Sequence, residues 1–463
     1  MNIALEAYNQ QKQPDFKEYF KDGKDETGKK IPAQKAKGRF LIAKYLIEKY
    51  NCIAINYGAN RAIYTYSEGI YIENTDFIKT EIQTLLDDLN NIGTTCEILE
   101  QIRNMKTVKR DKFEDIDRNL INLDNGVFNL KTRERYKHDP KYYFFTKLPI
   151  KYDEEATWDN IWTVLTDLLQ PKDIDILQEF FGFCLYRYYF IKKSLILTGE
   201  KHTGKTTILN ILSTLIGKEN LSGVSLQDLS LNRFAMSDLY NKYANIYDEL
   251  SAEDINNTGK FKMITGNSPI MGEIKHGGRF PFRNYAKLIF ACNKIPAVND
   301  IADDAYFDRW IIINCTKTIA KDKRDPFLLD NLLDEKEISG LFNFALQGLA
   351  RLLETKDFSF EMNSKEIKQE MLKHSNPLAS FVYNRLVDVS GLGDDNYILV
   401  NKLFDEYTKY CHENEMMAES DDYFYKNIYK FAPYIRSGRK LISGDDRKQC
   451  YFNVKLSILT KEV

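Results

Sequence analysis

The chain has 463 residues, of which 43% are hydrophobic and 29% are charged, so it can bury ordinary globular cores and is not expected to be disordered throughout. Its 65 Lys and Arg residues nearly balance 67 Asp and Glu residues, which leaves a formal net charge of −2. That balance excludes a uniformly basic nucleic-acid coat protein. It leaves open a local basic patch, or an assembly that concentrates positive charge.

Cysteine usage and hydropathy indicate where the protein works. The seven cysteines are scattered and never form C-x-x-C, which argues against a disulfide framework or a zinc ribbon and is typical of a reducing cytoplasm. No apolar stretch approaches the length of about 18 residues that marks a membrane span. The N-terminus lacks a charged segment followed by an apolar core, so a secretory signal is not expected either.

The first third of the chain is predicted to be an arm followed by an α+β domain. Residues 1–39 form the arm, whose polar, Lys-rich part is broken by Gly and Pro; a solvated tether is favoured over a DNA-gripping arm. The domain is placed at 40–155. The patterns within it predict helices over 40–50 and 77–89 and hairpins over 62–73 and 120–130.

The middle of the chain changes to short apolar strands separated by helices. The predicted strands are 194–198, 243–247, 286–292 and 310–314. Unbroken apolar runs of this length are typical of a mostly parallel sheet covered on both faces. We therefore predict an α/β core domain over 156–325, with helices over 158–190 preceding its first strand.

The last part of the chain is predicted to be helical and then α/β. Helices over 325–355 and 363–388 form a linker or lid, placed at 326–390. Beyond the Gly-rich break at 391–393, helices over 398–414 and 421–431 and a hairpin over 439–456 follow. Helices followed by a hairpin describe a winged-helix domain, which is assigned to 391–463.

A phosphate-binding loop is the strongest chemical signal. The sequence GEKHTGKT at 199–206 satisfies G-x-x-x-x-G-K-[ST], follows a predicted strand and opens a helical pattern. Backbone N–H groups of such a loop surround phosphate, Lys205 reaches the β- and γ-phosphates of ATP, and Thr206 ligates Mg²⁺. The alternative is a strand–helix turn that binds nothing. The residues predicted to bind the nucleotide are Gly199, Glu200, Lys201, His202, Thr203, Gly204, Lys205, Thr206 and Thr207.

Two carboxylates follow the second strand. Asp248 and Glu249 come directly after the apolar run 243–247, downstream of the loop. We assign Asp248 to the hydrated Mg²⁺ and Glu249 to the attacking water, which it orients and deprotonates. A solvated acidic pair at a strand end is the alternative.

Two further polar side chains flank the third and fourth strands. Asn293 ends the third strand, where a neutral amide can bind the γ-phosphate and the water, although Asn-Lys-Ile-Pro is also a good turn. Arg309 precedes the fourth strand and can stabilise charge that develops during phosphoryl transfer. A salt bridge, for instance with Asp308, is the alternative for this arginine.

The order of these signals resembles the superfamily 3 helicases, and within them the poxvirus-type and phage/plasmid primase–helicase group. The resemblance extends over 194–314, from ILTGEKHTGKTTILNIL through YANIYDEL and AKLIFACNKIP to FDRWIII, and more loosely over both flanks. It implies an AAA+ core in a hexameric ring that translocates on single-stranded DNA. It also implies catalytic roles for Lys205, Glu249, Asn293 and Arg309, the last as an arginine finger on a neighbouring subunit's nucleotide. Lys262 matches a basic position that reaches towards a nucleotide site, with a surface lysine as the alternative.

The resemblance also gives a role to the predicted hairpin at 270–282. In this superfamily such a hairpin projects into the central channel and grips the DNA backbone near its tip, which here carries Lys275 and His276. An exposed basic turn is the alternative. This chain departs from the superfamily in one respect: two adjacent arginines are common where it has Asp308 and Arg309.

No zinc-binding cysteine set or paired-acid polymerase motif precedes the loop, so primase activity is not expected.

The final 39 residues form a basic segment. From Tyr425 to Val463 the sequence contains nine Lys and Arg residues against three Asp and Glu residues, with aromatic residues interleaved. Arg439 and Lys440 fall on the predicted wing, where they are expected to bind duplex or origin DNA. A basic surface that mainly packs against the core domain is the alternative.

These features together predict an ATP-dependent, ring-forming DNA helicase for replication of a phage, plasmid, virus or related mobile element, in the host cytoplasm. Its expected requirements are ATP and Mg²⁺, and its expected partners are single-stranded DNA, origin duplex DNA and further copies of itself. A separate primase or initiator is left open. One rival is an initiator that melts an origin without processive unwinding. Another is a monomeric P-loop kinase that does not bind DNA.

Overall fold

The structure is a computed structural model that describes residues 14–57, 60–251, 258–273, 278–296, 298, 303–321, 324, 327–329, 333–393, 395–414, 416–443 and 446–457. The described part is α/β, as the sequence predicts, with a five-stranded parallel sheet at its centre. None of its helices combines the length and the apolarity needed to cross a membrane.

The N-terminal region packs three long helices against a four-stranded sheet of order β5-β4-β3-β6. Both predicted hairpins are present, and the first turns at Glu68-Gly69, where both residues have positive φ. The elements are β1 Gly23–Lys24, β2 Lys30–Ile31, α1 Lys35–Tyr50, β3 Ile53–Tyr57, β4 Asn60–Ser67, β5 Ile70–Glu73, α2 Thr75–Leu86, α3 Ile92–Met105, β6 Thr107–Val108, α4 Asp111–Glu114, β7 Leu120–Leu123, β8 Gly126–Asn129 and β9 Arg135–Tyr136.

The predicted arm is partly folded into this region. Phe16 and Phe20 are buried in the same core as Ile42 and Leu46 of helix α1. That helix begins at Lys35, five residues earlier than expected. The aromatic side chains explain the difference, because they bury apolar area that a solvated tether would expose.

The central sheet has the order β11-β12-β15-β10-β16, and all its strands are parallel. The four predicted strands are confirmed within one residue at each end, while the two-residue strand β11 was not predicted. The elements are α5 Asp159–Leu168, α6 Pro171–Leu185, β10 Ser194–Thr198, α7 Lys205–Ile216, β11 Leu221–Ser222, α8 Leu226–Leu231, β12 Ala244–Tyr247, α9 Thr258–Ile264, β13 Pro269–Glu273, β14 Arg279–Arg283, β15 Lys287–Cys292, α10 Asp304–Phe307 and β16 Trp310–Asn314.

Both faces of this sheet are buried, as the unbroken apolar runs predict. Leu195 and Leu197 of β10 point into one core, and Ile196 between them points into the other. Alternate residues of a strand face opposite sides, so a strand that is apolar at every position needs cover on both. The sheet is therefore an interior platform whose two edges carry the loops.

The predicted boundary between residues 155 and 156 does not separate two cores. Phe128 and Leu148, which precede it, share one core with Ile161 of helix α5 and Phe342. The rings of Phe128 and Phe342 lie 5.8 Å apart between centroids. Phe342 belongs to helix α11, Glu335–Thr355, so the predicted linker or lid contributes to the central core as well.

Helices α6 and α11 touch through their backbones. A Cβ atom at Gly182 of α6 would lie 2.4 Å from the carbonyl oxygen of Ala345 on α11, and one at Gly348 would lie 2.2 Å from that of Gln178. Beside this contact, the fully buried Glu179 accepts a 2.6 Å hydrogen bond from Nε of Arg351. The two helices form a close-packed pair that shares one core with Leu195 and Leu197 of strand β10.

We expect Gly182→Ala to destabilise the protein by about 2–3 kcal/mol, because the new methyl group forces these two helices apart. The gain in helix propensity, at most about 1 kcal/mol, is smaller. Chemical denaturation measures the difference. The matched control is Gly223→Ala, whose Cβ would have its nearest neighbour at 3.6 Å. Equal stabilities of both variants would contradict this account of the helix contact.

The C-terminal region has its own core and a three-stranded sheet of order β18-β20-β19. The predicted helix 363–388 is two helices, because Pro377 starts a new one that the Asn376 side chain caps. The predicted hairpin is present, and its turn residues 444 and 445 lie outside the described residues. The elements are α12 Ser364–Ser375, α13 Pro377–Arg385, β17 Leu386–Asp388, β18 Tyr397–Leu399, α14 Val400–Glu413, α15 Asp421–Phe431, β19 Arg436–Ser443, β20 Asp446–Phe452 and β21 Val454–Leu456.

A lysine is completely buried at the start of strand β15. The Nζ atom of Lys287 donates to the carbonyl oxygens of Tyr186 and Tyr285, each at 2.7 Å, and lies 4.4 Å from the ring centroid of Phe183. Burial lowers the pKa of Lys287 to about 7, although Cys184 opposes the shift. A neutral amine has two N–H donors, which matches the two carbonyl acceptors.

This burial predicts a pH-dependent stability. An unfolded lysine keeps its proton up to a pH of about 10.4, so between pH 7 and 10 the unfolded state binds one proton more than the folded state. The free energy of unfolding of the wild type, relative to Lys287→Met, should therefore rise by about 1.4 kcal/mol per pH unit across that window. Urea unfolding of both proteins at pH 7.5, 8.5 and 9.5 measures it. A pH-independent difference would show that Lys287 is charged in the fold.

Candidate functional site

The loop after strand β10 has a conformation that requires its two glycines. Gly199 has φ 147°, and a Cβ there would lie 2.2 Å from the carbonyl oxygen of Cys315. Gly204 has φ 85°, and its Cβ would lie 2.5 Å from a methyl group of Leu168. Between them, the Thr203 hydroxyl donates to the carbonyl oxygen of Glu200 at 2.9 Å. Side chains larger than hydrogen would open the loop.

Helix α7 starts directly at the end of this loop. Gly204 is its N-cap, so the first free backbone N–H groups belong to Lys205, Thr206 and Thr207. The Lys205 ammonium donates to the carbonyl oxygens of Gly199 at 2.7 Å and Glu200 at 2.8 Å. The arrangement combines a helix N-terminus with a cation folded over the loop, which is suited to a phosphate group.

Strands β12 and β15 bring three polar side chains to the same edge of the sheet. Asp248 and Glu249 follow β12 and are exposed, and the next residue, Leu250, is buried and donates its N–H to the carbonyl oxygen of Ala291 at 2.9 Å. Asn293 follows β15, which lies between β12 and the loop strand β10. The strand order therefore places the amide between the loop and the acidic pair.

These residues line one cavity of about 700 Å³. Its lining residues are Lys201, His202, Lys205, Thr206, Asp248, Glu249, Leu250, Cys292, Asn293 and Lys294. Sequence reasoning did not single out Cys292 and Lys294, although both adjoin Asn293. Burial raises the pKa of the Cys292 thiol to about 12, so this residue is a wall of the cavity and not a nucleophile.

The cavity suits Mg²⁺ bound together with phosphate. In the described part of the chain, no group of three or more His, Cys, Asp and Glu side chains could hold a metal ion. Mg²⁺ needs fewer protein ligands when phosphate oxygens and water complete its shell. The Thr206 hydroxyl and the Asp248 carboxylate both line the cavity and offer oxygen ligands, so they fit that requirement.

Arg309 lies at the amino-terminal end of the parallel strands, whereas the cavity lies at their carboxyl-terminal end. Strands β10 and β16 are parallel, with Ser194 opposite Trp310 and Thr198 opposite Asn314, so Arg309 is about five residues, or roughly 15 Å, from the loop end. Its Nε donates to the Thr265 hydroxyl at 3.0 Å. The structure does not bring Arg309 to the cavity of its own chain. Asp308, the alternative partner, forms its ion pair with Lys193 at 3.6 Å.

Lys262 lies on the same side as Arg309. Its Nζ is 2.6 Å from Oδ2 of Asp303, which also accepts a 2.6 Å hydrogen bond from the Thr258 hydroxyl. Burial raises the pKa of the Asp303 carboxyl, but the hydrogen bonds from Lys262 and Thr258 outweigh it and leave the pKa lowered. Lys262 is thus an ion-paired residue next to helix α10 and not part of the cavity.

The residues predicted to bind DNA are placed unequally. Lys275 and His276 lie outside the described residues, while the strands that carry them, β13 and β14, pair from Pro269–Arg283 to Glu273–Arg279. On strand β19, Arg439 is exposed.

Lys440, in contrast, forms an ion pair within the protein. Its Nζ atom lies 2.9 Å from Oδ1 of Asp395, whose pKa it lowers, and 4.3 Å from the ring centroid of Tyr397. Of the two predicted wing cations, Arg439 is the more accessible.

Two family models match parts of the chain. Residues 14–170 match a family described as D5 N terminal like. Residues 197–309 match a family of unknown function (DUF5906). The first match crosses the predicted boundary at 155/156, and the second covers the loop, the acidic pair, Asn293 and Arg309.

Individual relatives have low sequence identity to this chain. The chain is 25% identical over 308 residues to "Putative helicase 184R" of Invertebrate iridescent virus 6; the alignment covers 57% of this chain but only 30% of that protein. Solved apo structures of the NrS-1 C terminal region are similar, with TM-scores of 0.46 to 0.47 and 13 to 15% identity, over 90% of this chain and 99% of those chains.

Proposed function

We propose that this chain is an ATP-driven DNA helicase of the superfamily 3 type, which acts in the replication of a phage, virus, plasmid or related mobile element. The observation that carries the proposal is the single cavity in which Lys205, Thr206, Asp248, Glu249 and Asn293 meet. The name of the viral relative and the match to the D5 N terminal like family support it independently of this geometry.

The residues of the cavity divide the chemistry of ATP hydrolysis among them. The loop amides and Lys205 hold the phosphates and stabilise negative charge, Glu249 takes a proton from the attacking water, and Asn293 donates an amide hydrogen to the γ-phosphate. Thr206 and Asp248 would hold Mg²⁺, which would neutralise phosphate charge. The acidic pair is exposed on the cavity wall, where water and nucleotide can reach it.

We further propose that the protein works as a ring with an AAA+ core, in which each cavity is completed by a neighbour. Arg309 is at the sheet edge opposite the cavity, so it serves as a finger only if a second copy presents that edge to the cavity of the first. The hairpin β13–β14 then faces the ring channel with Lys275 and His276 at its tip. The C-terminal region acts as the winged-helix domain that contacts duplex DNA.

The direct test is ATP hydrolysis with and without a single-stranded oligonucleotide, together with unwinding of a forked duplex and a measurement of mass in ATP. A helicase hydrolyses faster with the oligonucleotide, separates the fork and forms a ring. A rate of ATP hydrolysis that the oligonucleotide does not change, together with a monomeric mass in ATP, would overturn the proposal in favour of a P-loop kinase. Origin-specific binding without fork unwinding would favour an initiator.

The wing gives a prediction that separates its two cations. Arg439→Ala should weaken duplex binding about tenfold, since an exposed arginine can reach a phosphate. Lys440→Ala should weaken binding less, because that lysine is already paired with Asp395. Fluorescence anisotropy with a labelled duplex measures both, and thermal unfolding checks that each variant is folded. Unchanged binding by Arg439→Ala would indicate that the basic hairpin only packs on the protein.

A further inference from the structure

A second cavity of about 700 Å³ lies at the other edge of the central sheet. We name it the basal cleft; it is formed by residues 113–119, residues 186–188 before strand β10, and residues 267 and 282–285 at the base of the β13–β14 hairpin. Tyr188 and Tyr285 precede parallel strands, so this cleft opens away from the phosphate-binding loop. It is not explained by the chemistry of ATP.

Four cations from separate parts of the sequence line the basal cleft: Arg118, Lys131, Arg187 and Arg283. Atoms Nε and Nη1 of Arg187 are buried and make no aligned hydrogen bond within the described residues, where the neutral Tyr285 hydroxyl is the polar group next to this guanidinium. A guanidinium with two buried nitrogen atoms left unpaired is incompletely stabilised, so an anion bound at the cleft side of Arg187 would stabilise it.

The acidic residues of the cleft are partly occupied within the protein. Glu114 is 3.0 Å from Nε of Arg110, and the Asp117 carboxylate accepts hydrogen bonds from the backbone N–H of Asn119 at 3.0 Å and from its side chain at 2.6 Å. Asp115 also lines the cleft. Glu114 is thus neutralised by an arginine outside the cleft lining, which leaves the four cations facing Asp115 and Asp117.

Aromatic rings stand beside these cations. The guanidinium carbon of Arg118 lies 3.6 Å from the ring centroid of the neighbouring Tyr188, and that of Arg187 lies 5.1 Å from the ring centroid of Tyr285. Both arginines thus present flat, positively charged surfaces next to tyrosine faces. Unpaired bases stack on such surfaces, and the adjacent phosphates pair with the guanidinium groups.

The cleft is physically joined to the hairpin. Arg110 of the N-terminal region places its guanidinium carbon 4.6 Å from the ring centroid of Tyr240 and 4.5 Å from that of Phe280 on strand β14. Arg283, at the base of the same hairpin, donates to the carbonyl oxygen of Asn267 at 2.8 Å. The base of the hairpin therefore forms part of the cleft wall.

We propose that the basal cleft binds single-stranded DNA, with its phosphates on Arg118, Arg187 and Arg283 and an unpaired base beside Tyr188. This inference rests on the proposed function, because it places the cleft on the path of the strand that the hairpin moves. The volume matches a ligand of about one or two nucleotides, so an unpaired strand fits where a duplex does not.

The test is equilibrium binding of a labelled oligo-dT of 30 nucleotides as a function of salt concentration. Arg118→Ala should weaken binding about tenfold and lower the slope of log affinity against log salt by about one, since one phosphate contact is lost. Arg118→Lys should restore the slope but not the full affinity, because it keeps the charge and loses the stacked plane. The matched control Lys112→Ala removes one exposed charge from the same segment, outside the cleft, and should leave affinity unchanged.

A second measurement locates the strand directly. An oligonucleotide that contains 5-iododeoxyuridine should crosslink to the peptide that carries Tyr188, and dTMP should compete only weakly if a strand is the ligand. Arg118→Ala with the affinity, slope and crosslink of the wild type would overturn the cleft while leaving the helicase proposal intact. Failure of the wild type to bind oligo-dT at all would overturn both.

Discussion

Lys205→Ala is expected to reduce ATP hydrolysis at least about 100-fold, the loss seen when a preorganised group that stabilises developing charge is removed. The ammonium lies over the loop, within 2.8 Å of two of its carbonyl oxygens. From there it can exchange these hydrogen bonds for bonds to a phosphate without a change in the backbone. Affinity for ATP should fall too, because the same contact exists in the ground state. Phosphate release and binding of a fluorescent nucleotide measure the two effects.

The control for this prediction is Lys218→Ala. Lys218 is exposed in the turn that follows helix α7, so its removal changes the net charge equally without touching the cavity. The fold should survive Lys205→Ala, since this side chain bonds only to its own loop in the described part of the chain. Undiminished hydrolysis by a folded Lys205→Ala protein would show that phosphate chemistry occurs elsewhere.

The central sheet could be predicted from sequence because its strands are apolar at every position. Runs such as 286–292 cannot face water on either side, so a parallel sheet with two covered faces was the consistent solution. Parallel strands end at one edge, which is why the loop at 199–206, Asp248 and Asn293, far apart in the chain, could be assigned to one site. The pattern did not give the strand order, because hydropathy does not encode which strands are neighbours.

The features missed by sequence reasoning depend on contacts between distant segments. Phe20 lies in a segment of polar composition, and only the packing of helix α1 against it shows that it is buried. Phe128 packs against Phe342, which lies 214 positions further along the chain. The break at Pro377 was available from sequence, since proline cannot continue a helix. The basal cleft was not, because Arg118, Arg187 and Arg283 share no motif.

Glu249→Gln is expected to reduce hydrolysis by about 10²- to 10⁴-fold while leaving ATP binding nearly unchanged. The amide has the shape of the carboxylate but cannot accept the proton of the attacking water. Binding of a fluorescent nucleotide and single-turnover hydrolysis distinguish the two steps. Glu219→Gln, at an exposed position after helix α7, is the matched control. Equal losses of ATP binding and of hydrolysis would show that Glu249 contacts the phosphate or the metal ion and does not act as the base.

The position of Arg309 turns that variant into a test of the ring. Because Arg309 and the cavity lie at opposite edges of the sheet, a trans site takes Glu249 from one subunit and Arg309 from the next. Glu249→Gln and Arg309→Ala should each be inactive alone. In an equal mixture, about one interface in four pairs an intact cavity with an intact arginine, so hydrolysis should recover towards a quarter of the wild-type rate per site. Recovery cannot occur if both residues act within one chain, since every chain in the mixture lacks one of them. A mixture as inactive as its components, in rings shown to exchange subunits, would exclude the trans arrangement and leave Arg309 with its hydrogen bonds to Thr265 and Ala305 within its own chain.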